Sequence, residues 1–275
     1  MNIKLIALDM DGTVLRTDKT ISPKTMEVLR AAQARGIHIV PTTGRPRKMI
    51  PQPILDVGSI RYAITSNGAS LADLVTDSIL YSNIMTRQET DHIISFLAGY
   101  NLFVEAYCEG DSYTDKENLK LIPTFKDFPP IYVEMIMRSQ TFIEDMPGFI
   151  KRENKRLEKI NVPYLEPGVY EEVLAKLLTM KDYAITSSFL ENIEINRATA
   201  NKGEALGHLC KLLGIPAEQV MAFGDGSNDL EMLQFAGFGV AMGNAIEPLR
   251  PLANYITRSN EEDGVAYAIE KFIDL

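Results

Sequence analysis

The sequence predicts an α/β protein: a βα-repeat domain with a parallel sheet, into which a separate α+β unit is inserted. Two observations support the repeat domain, since strand and helix patterns alternate in the N-terminal third of the chain and again in the C-terminal third. A third observation supports the insertion, because helical stretches and alternating apolar runs are mixed between positions 86 and 189.

The N-terminal third contains three short apolar runs and one helix. The first run, "KLIAL", leads directly into "DMDGT". Ser22 and Pro23 give an N-cap followed by proline at the first helical position, and "KTMEVLRAAQAR" then predicts a helix that ends at Gly36. The runs "IHIVPTTG" and "YAITSNG" end in small or polar residues, so they predict two further strands of parallel βαβ units.

The C-terminal third repeats this alternation. Asn201 is a candidate N-cap for the helix "KGEALGHLCKLL", Glu204 occupies the capping-box position, and Gly214 ends the helix. Next, "QVMAFGDG" predicts a strand, "NDLEMLQFAG" a helix and "FGVAMG" a strand. The segments "NYIT" and "EDGVAYAIEKFI" complete the pattern.

The middle of the chain has a different character. "RQETDHIISFLAGY" and "PGFIKRENKRLEKI" predict helices, whereas "IYVEMIM" and "YAITSSF" alternate as strands do. The charged run "KRENKRLEK" at 151–159 mixes both signs at helical spacing, so we expect a solvated helix face there rather than a binding surface.

Composition narrows the classes of partner. The 275 residues include 28 basic and 37 acidic side chains, a net charge of −9. This balance argues against nucleic acid or an anionic membrane as the main partner, because phosphate backbones bind to net basic surfaces. The cysteines Cys108 and Cys210 are too few for a disulfide framework or a zinc cage, which predicts buried thiols. No segment resembles a signal peptide or a membrane span, so we expect a cytoplasmic protein.

Residues that can carry chemistry follow four of the predicted strands. In an open parallel sheet, ligands bind at the carboxyl ends of the strands. Taken singly, each residue could be a turn residue, a cap or a surface lysine; collected at one sheet edge, they predict a site. They are Asp9 and Asp11 after the first strand, Thr42, Thr43, Gly44 and Arg45 after the second, Asn67 and Gly68 after the third, Asp225, Asn228 and Asp229 after "QVMAF", and Lys202 at the start of the preceding helix.

Four carboxylates at one crevice predict a cation. They would repel one another unless a positive ion lay among them. Oxygen ligands without histidine or cysteine favour Mg²⁺ over zinc. A lysine and the Thr-Gly backbone nearby could hold phosphate oxygens, and this combination fits phosphoryl transfer, in which positioning and charge neutralisation provide most of the catalysis.

The same residues carry a resemblance. "DMDGT", "TTGR", the lysine of "NKGEAL" and "GDGSNDLEML" resemble, in order and spacing, the four motifs of the haloacid dehalogenase superfamily, and "SNGA" and the insertion resemble its Cof-type phosphatases with a C2-type cap. The resemblance implies a Rossmann-like parallel-sheet core at 1–85 and 190–275 and an inserted α+β cap domain at 86–189 that selects the substrate.

The resemblance also implies roles. Asp9 would be the nucleophile that forms an aspartyl-phosphate, and Asp11 the general acid and base. The implied Mg²⁺ ligands are Asp9, Asp225, the backbone carbonyl of Asp11, and Asp229 either directly or through water. The implied phosphate ligands are the Met10 and Gly44 N–H groups, Thr43, Lys202 and Asn228; Thr42 could take the place of Thr43, and Arg45 could bind the phosphate or substrate, or pair with a core carboxylate.

Asp11 bears on the choice between relatives. Superfamily members that preserve the acyl-phosphate lack a second aspartate there, so Asp11 favours a phosphatase over a transport ATPase. To act as an acid near neutrality, an aspartate needs a pKa above its ordinary value of ~3.9. Crowding by Asp9 and desolvation raise this pKa whereas Mg²⁺ lowers it, and the sequence leaves the balance open.

We therefore expect a Mg²⁺-dependent phosphatase for small phosphorylated metabolites, most of all sugar phosphates, through an aspartyl-phosphate. Two alternatives stay open: a phosphomutase of the same superfamily, and a non-catalytic regulator that binds phosphometabolites. The sequence identifies neither the metabolite nor the oligomeric state.

Overall fold

A computed structural model describes residues 1–188 and 192–275. The chain forms two compact units, one of residues 1–45, 50–82 and 201–275, and one of residues 46–49 and 83–200. The sequence placed the insertion at 86–189, and its last residue, Phe189, lies outside the described residues. The assignment of the parts as core domain and cap domain stays a prediction.

Strands and helices alternate through most of the described chain. The strands are β1 (Leu5–Leu8), β2 (His38–Pro41), β3 (Tyr62–Thr65), β4 (Ser70–Asp73), β5 (Ser78–Ser82), β6 (Glu105–Cys108), β7 (Asp111–Asp115), β8 (Thr141–Ile143), β9 (Lys159–Val162), β10 (Tyr183–Thr186), β11 (Ile193–Arg197), β12 (Val220–Gly224), β13 (Phe238–Ala241) and β14 (Tyr255–Ile256). The α-helices are α1 (Pro23–Ala34), α2 (Gln52–Leu55), α3 (Arg87–Leu97), α4 (Pro130–Ser139), α5 (Met146–Arg152), α6 (Pro167–Leu177), α7 (Lys202–Leu213), α8 (Leu230–Phe235) and α9 (Gly264–Phe272). In the ranges described, no helix is both long and apolar enough to cross a membrane.

The first unit contains a parallel sheet in the order β14-β13-β12-β1-β2. Strand β1 lies between β12 and β2, with Leu8 opposite Phe223 on one side and Pro41 on the other. All four residues of β1 are buried, which explains its continuous apolar run. Because these strands are parallel, their carboxyl ends meet at one edge, and the predicted α/β class with a parallel-sheet core is confirmed.

Two helix N-termini of this unit form as the sequence predicts. The Ser22 hydroxyl accepts a hydrogen bond from the Thr25 N–H and Pro23 opens α1. The Asn201 side chain accepts a hydrogen bond from the Glu204 N–H, which fixes the start of α7. This cap places Lys202 at the first position of the helix.

The third predicted strand forms, but its pairing differs from the expected parallel βαβ unit. Strand β3 pairs antiparallel with β4 in a separate sheet of order β3-β4-β5. Ser66 and Asn67 have φ of 51° and 56°, so the chain turns back sharply after β3 and pairs with the segment that follows. A single parallel bridge joins Thr42 to Ile64.

The second unit contains a six-stranded sheet in the order β10-β11-β9-β6-β7-β8, antiparallel except for the β7–β8 pair. Side chains alternate across it as the period of a strand requires. On one face, Ala106, Ile160 and Ile195 pack in an apolar core. The other face carries polar side chains that are nearly or fully buried: Glu105, Tyr107, Lys159, Asn161, Glu194 and Asn196.

Two local predictions for this unit are wrong. "IYVEMIM" belongs to helix α4, not to a strand, because Pro129 and Pro130 set up a helix N-terminus with proline at the first position. The charged run at 151–159 is not one solvated helix, since α5 ends at Arg152 and Lys159 begins the buried strand β9. Lys159 is 2% exposed and lies 2.8 Å from Glu194 Oε1, so its charge is paired inside the fold.

Candidate active site

Asp9 occupies the position directly after β1, in the middle of the parallel sheet. Its N–H donates to the Phe223 carbonyl at 3.0 Å, which continues the ladder between β1 and β12 by one residue. The residue is 6% exposed. A buried strand therefore delivers a carboxylate to the edge of the sheet with its backbone already fixed.

Lys202 connects Asp9 to a second aspartate. Its Nζ, which is fully buried, lies 2.6 Å from Asp9 Oδ1 and 2.6 Å from Asp229 Oδ1. Burial alone would lower the pKa of the ammonium, but the two carboxylates outweigh burial and raise this pKa well above its usual value. Burial raises the pKa of Asp9 well above its ordinary range, and the charge of Lys202 opposes that shift without cancelling it.

The loop after β12 holds Asp225 as well as Asp229. Asp229 Oδ2 accepts hydrogen bonds from the N–H groups of Asp225 and Gly226, at 2.9 and 3.0 Å. The Thr13 hydroxyl donates to Asp225 Oδ1 at 2.8 Å. Burial, together with the neighbouring Asp229, raises the pKa of Asp225 to about 7. The loop thus concentrates negative charge where β1 and β12 end.

Gly12 allows the two strand ends to approach one another. Its φ is +81°, and a Cβ there would lie 2.3 Å from Asp225 Oδ2. Any other residue would strain the backbone and push the Asp225 carboxylate away. The glycine in "DMDGT" is therefore a requirement of the site, in addition to a turn signal.

The donor set fits a hard divalent cation. One carboxylate oxygen from each of Asp9, Asp225 and Asp229 lies within 4.8 Å of the others. Carboxylate oxygens are the ligands that Mg²⁺ prefers, and a cation would offset both the burial and the repulsion by Asp229 that raise the pKa of Asp225. This cluster does not include the Asp11 carboxylate, so the predicted contribution of Asp11 through its backbone carbonyl stays a prediction.

The Asp11 side chain is instead bound by two cations. Arg45 donates from Nε to Asp11 Oδ2 at 2.8 Å and from Nη2 to Oδ1 at 2.7 Å, and Lys19 Nζ donates to Oδ1 at 2.8 Å. Burial by itself would raise the pKa of Asp11, but these charges lower it far below its ordinary value. Of the alternatives for Arg45, the structure shows pairing with a core carboxylate. The upward shift that an acid near neutrality needs is absent in this arrangement.

The loop after β2 is tied to the end of β3. The Thr43 N–H donates to the Ile64 carbonyl at 2.9 Å, and Thr43 Oγ1 accepts from the Arg45 N–H at 3.1 Å. The Thr42 hydroxyl donates to the Val40 carbonyl at 3.2 Å. Because the Thr42 hydroxyl proton is directed into its own strand, this geometry favours Thr43 as the hydroxyl donor to a phosphate.

The Asn228 side chain is hydrogen-bonded to Asn67, which follows β3. Its Nδ2 donates to Asn67 Oδ1 at 3.0 Å, and both side chains are buried.

Met10 is fully buried, and its carbonyl accepts from the N–H groups of Thr13 and Leu15, so the loop after Asp9 is folded back on itself. Gly44 lies between the bonded residues Thr43 and Arg45, in the same loop.

Four further residues reach this site without having been assigned a role from the sequence. Asn67 and Thr13 lie in the motifs that were noted. Asn244 follows β13 and donates to Asp225 Oδ2 at 3.3 Å and to the Gly12 carbonyl at 2.8 Å, so the rule on strand ends could have found it. Lys19 is different, because it lies in a surface loop and no sequence signal points to its partner Asp11.

Comparisons with known proteins show the family to which the chain is similar. A family model described as haloacid dehalogenase-like hydrolase matches residues 6–269. The chain is 32% identical, over 99% of its length and 97% of the relative's, to the 5-amino-6-(5-phospho-D-ribitylamino)uracil phosphatase YcsE of Bacillus subtilis. A solved structure of a haloacid dehalogenase-like hydrolase from B. subtilis superposes on this chain with a TM-score of 0.86 and 28% sequence identity. The match covers 99% of this chain and 100% of that one. The subclass IIB sugar phosphatase BT4131 is 25% identical with a TM-score of 0.81, covering 98% of each chain.

Proposed function

The chain belongs to the haloacid dehalogenase-like hydrolases, and from that premise we propose that it is a Mg²⁺-dependent phosphatase that hydrolyses small phosphomonoesters through an aspartyl-phosphate on Asp9. The observation that carries the proposal is the buried Lys202 ammonium at 2.6 Å from both Asp9 and Asp229, at the carboxyl end of β1. It fixes one carboxylate beside a phosphate-binding loop and supplies positive charge for an anionic substrate.

The first half of the proposed reaction transfers the phosphoryl group to Asp9. The Asp9 carboxylate attacks phosphorus, the bond from phosphorus to the ester oxygen breaks, and the leaving oxygen takes a proton from the Asp11 carboxyl group. Lys202 hydrogen-bonds to Asp9 Oδ1, so the ammonium holds the orientation of the attacking carboxylate.

The second half regenerates the carboxylate. A water molecule bonds to phosphorus, Asp11 takes the water's proton, and the bond between phosphorus and Asp9 breaks to release inorganic phosphate. Asp11 is thus an acid in one step and a base in the next. Its ion pairs with Arg45 and Lys19 favour the base form, which suits the second step. The first step needs the protonated form, which the negative charge of a bound phosphate would favour.

The cation would be held by Asp9, Asp225 and the backbone carbonyl of Asp11, with Asp229 binding directly or through water. What bound Mg²⁺ supplies is neutralisation of the charge on the phosphate oxygens. The Met10 and Gly44 N–H groups, the Thr43 hydroxyl, Lys202 and Asn228 would hold those oxygens. The Asn67–Asn228 hydrogen bond fixes the amide of Asn228 for this purpose.

We assign selection of the leaving group to the inserted unit, predicted at 86–189, and infer a leaving group rich in hydroxyls. The polar face of its sheet supports this class. Glu105 lies opposite Asn161 across one strand pair and Glu194 lies opposite Asn161 across the next. Carboxylate and amide groups can accept from and donate to hydroxyls, and a leaving group would exchange its hydroxyls for the bonds that these groups make to one another, such as that from Asn161 to Glu105 at 2.7 Å. The names of two of the similar proteins, a phosphoribityl compound phosphatase and a sugar phosphatase, specify polyhydroxylated phosphomonoesters as well.

The test is phosphate release from a panel of sugar and alditol phosphates, with Mg²⁺ and with EDTA, for the wild type and Asp9→Asn. Release that needs Mg²⁺ and disappears in the variant supports the proposal and ranks the substrates. Transfer of phosphate between positions of one sugar, without release, would identify a phosphomutase. Binding of a phosphometabolite without turnover would identify a regulator.

A further inference from the structure

The Asp11 carboxylate is enclosed by two cations that come from separate loops. Arg45, from the loop after β2, contacts both of its oxygens, at 2.8 and 2.7 Å. Lys19, from the loop between β1 and α1, contacts Oδ1 at 2.8 Å. The side chains of Arg45 and Lys19 are 12% and 18% exposed and that of Asp11 is 33% exposed, so solvent screens both contacts in part.

The two cations constrain the carboxylate in different ways. The planar fork of Arg45 engages both oxygens, so it fixes the plane of the carboxylate. Lys19 is a point charge on a flexible stem, and it contacts Oδ1 from a separate loop. Arg45 thus fixes the plane of the carboxylate, and Lys19 holds its Oδ1 from a separate segment.

The loop that carries Lys19 is closed by its own backbone. Lys19 has a φ of +65°, a left-handed conformation that is uncommon for a residue with a side chain. Hydrogen bonds from the Arg16 N–H to the Thr20 carbonyl and from the Lys19 N–H to the Arg16 carbonyl close the loop.

We propose that Lys19 and Arg45 are positioning residues for the proton-transfer carboxylate: they hold Asp11 in the orientation from which it exchanges a proton with the leaving group and with water. The inference rests on the proposed function, since it concerns the two proton transfers of that reaction. In the first, the O–H bond of Asp11 breaks and its proton goes to the ester oxygen as that oxygen leaves phosphorus. In the second, a water O–H bond breaks, its proton returns to Asp11 and its oxygen bonds to phosphorus.

The proposal assigns Lys19 an effect on turnover and not on phosphate binding. For Lys19→Met, we expect kcat with glucose 6-phosphate to fall about 10- to 100-fold while KM changes less than about twofold. The fall in transfer to Asp9 should be smaller for p-nitrophenyl phosphate, because its leaving group needs little protonation; the burst of p-nitrophenolate measures this step. Lys19→Arg keeps the charge and should restore most of the turnover.

A control variant and a double variant test whether Lys19 acts through Asp11. Lys24 pairs with Glu270 at the surface, and Lys24→Met should leave the turnover of both substrates unchanged. Lys19→Met is then combined with Asp11→Asn. If Lys19 acts through Asp11, the added substitution should change the residual kcat of Asp11→Asn by less than about twofold.

Several outcomes would overturn the inference. A raised KM at unchanged kcat would make Lys19 a phosphate ligand. An equal loss in the wild type and in Asp11→Asn would show that Lys19 acts elsewhere, and an active Lys19→Met would show that it has no role in turnover. If the wild type releases no phosphate from either probe with Mg²⁺, the proposed function fails and this inference with it. Should Lys19→Met prove unfolded by circular dichroism, Lys19→Gln takes its place in every comparison.

Discussion

The Lys202 ammonium lies 2.6 Å from Asp9 Oδ1, and the two side chains are 0% and 8% exposed. A second carboxylate, that of Asp229, lies at the same distance from Lys202. One buried cation thus lies between two buried anions, where water compensates none of the three charges. The role proposed for this lysine in the reaction and its role in the fold therefore involve the same contacts.

Replacing Lys202 with methionine should affect both roles. We expect turnover to fall at least about 100-fold, since a cation at the phosphate site is lost. We also expect the free energy of unfolding to fall by about 3 kcal/mol, because two buried carboxylates lose their counterion. Steady-state kinetics and urea denaturation measure these effects. Lys211, exposed in the same helix, is the control, and Lys211→Met should change stability by less than about 0.5 kcal/mol. Normal turnover of Lys202→Met would remove this residue from the mechanism.

The stability of the metal-free protein should depend on pH through Asp225. Its pKa is raised from 3.8 to about 7 in the folded protein. Between these values the folded state keeps a proton that the unfolded state releases, so the free energy of unfolding should fall as pH rises from about 4 to about 7. Urea denaturation in EDTA across this interval measures the fall. Asp225→Asn cannot titrate and should give a flatter curve; identical curves for the two proteins would refute the assignment.

The same carboxylate should make Mg²⁺ binding pH-dependent. A cation needs Asp225 ionised, so the apparent affinity should increase with pH up to about 7 and binding should release protons below that value. Calorimetry at pH 6 in two buffers of different ionisation enthalpy detects the release. Equal heats in both buffers would mean that the protonated form of Asp225 is not populated there.

Gly12 and Gly36 form a matched pair for testing the close approach at the site. Their φ values are +81° and +78°, but a Cβ at Gly12 would lie 2.3 Å from Asp225 Oδ2 whereas one at Gly36 would meet nothing within 4 Å. We expect Gly36→Ala to cost about 1 kcal/mol of stability through its backbone and to leave turnover intact. Gly12→Ala should also lose Mg²⁺ affinity and at least about tenfold in turnover, which calorimetry and kinetics measure. Equal behaviour of the two variants would mean that Asp225 tolerates displacement.

The ion pair between Lys159 and Glu194 allows a test of how burial on the polar face of the second sheet affects stability. Their charged groups are 2.8 Å apart and at most 4% exposed. Lys159→Met alone should lower the free energy of unfolding by about 3–5 kcal/mol, because the buried Glu194 carboxylate loses the ammonium that lies against it. Adding Glu194→Gln should recover part of that loss, and urea denaturation of the four proteins completes the cycle. A loss below about 0.5 kcal/mol for Lys159→Met would instead match the solvated lysine that the sequence predicted.

The sequence determined those features that depend on neighbours along the chain. A continuous apolar run gave the buried strand β1 and placed Asp9 at its end, and the caps Ser22 and Asn201 gave the starts of α1 and α7. Caps and strand ends act over a few residues, so the pattern contains the information they need. Because parallel strands share one edge, the same pattern also predicted that Asp9, Asp225 and Asp229 would lie together.

Only the tertiary structure decided which charges meet and which side chains are buried. Asp11 pairs with Arg45, 34 positions away, and Lys159 pairs with Glu194, 35 positions away, so no local pattern specified either contact. The contacts of Asp11 lower its pKa, a balance that the sequence left open, and the contact of Lys159 reversed an expectation, because a charged run contains a buried strand residue. The physical reason is that burial and Coulomb interactions depend on distance in space, which folding sets, whereas helix and strand patterns depend on distance along the chain.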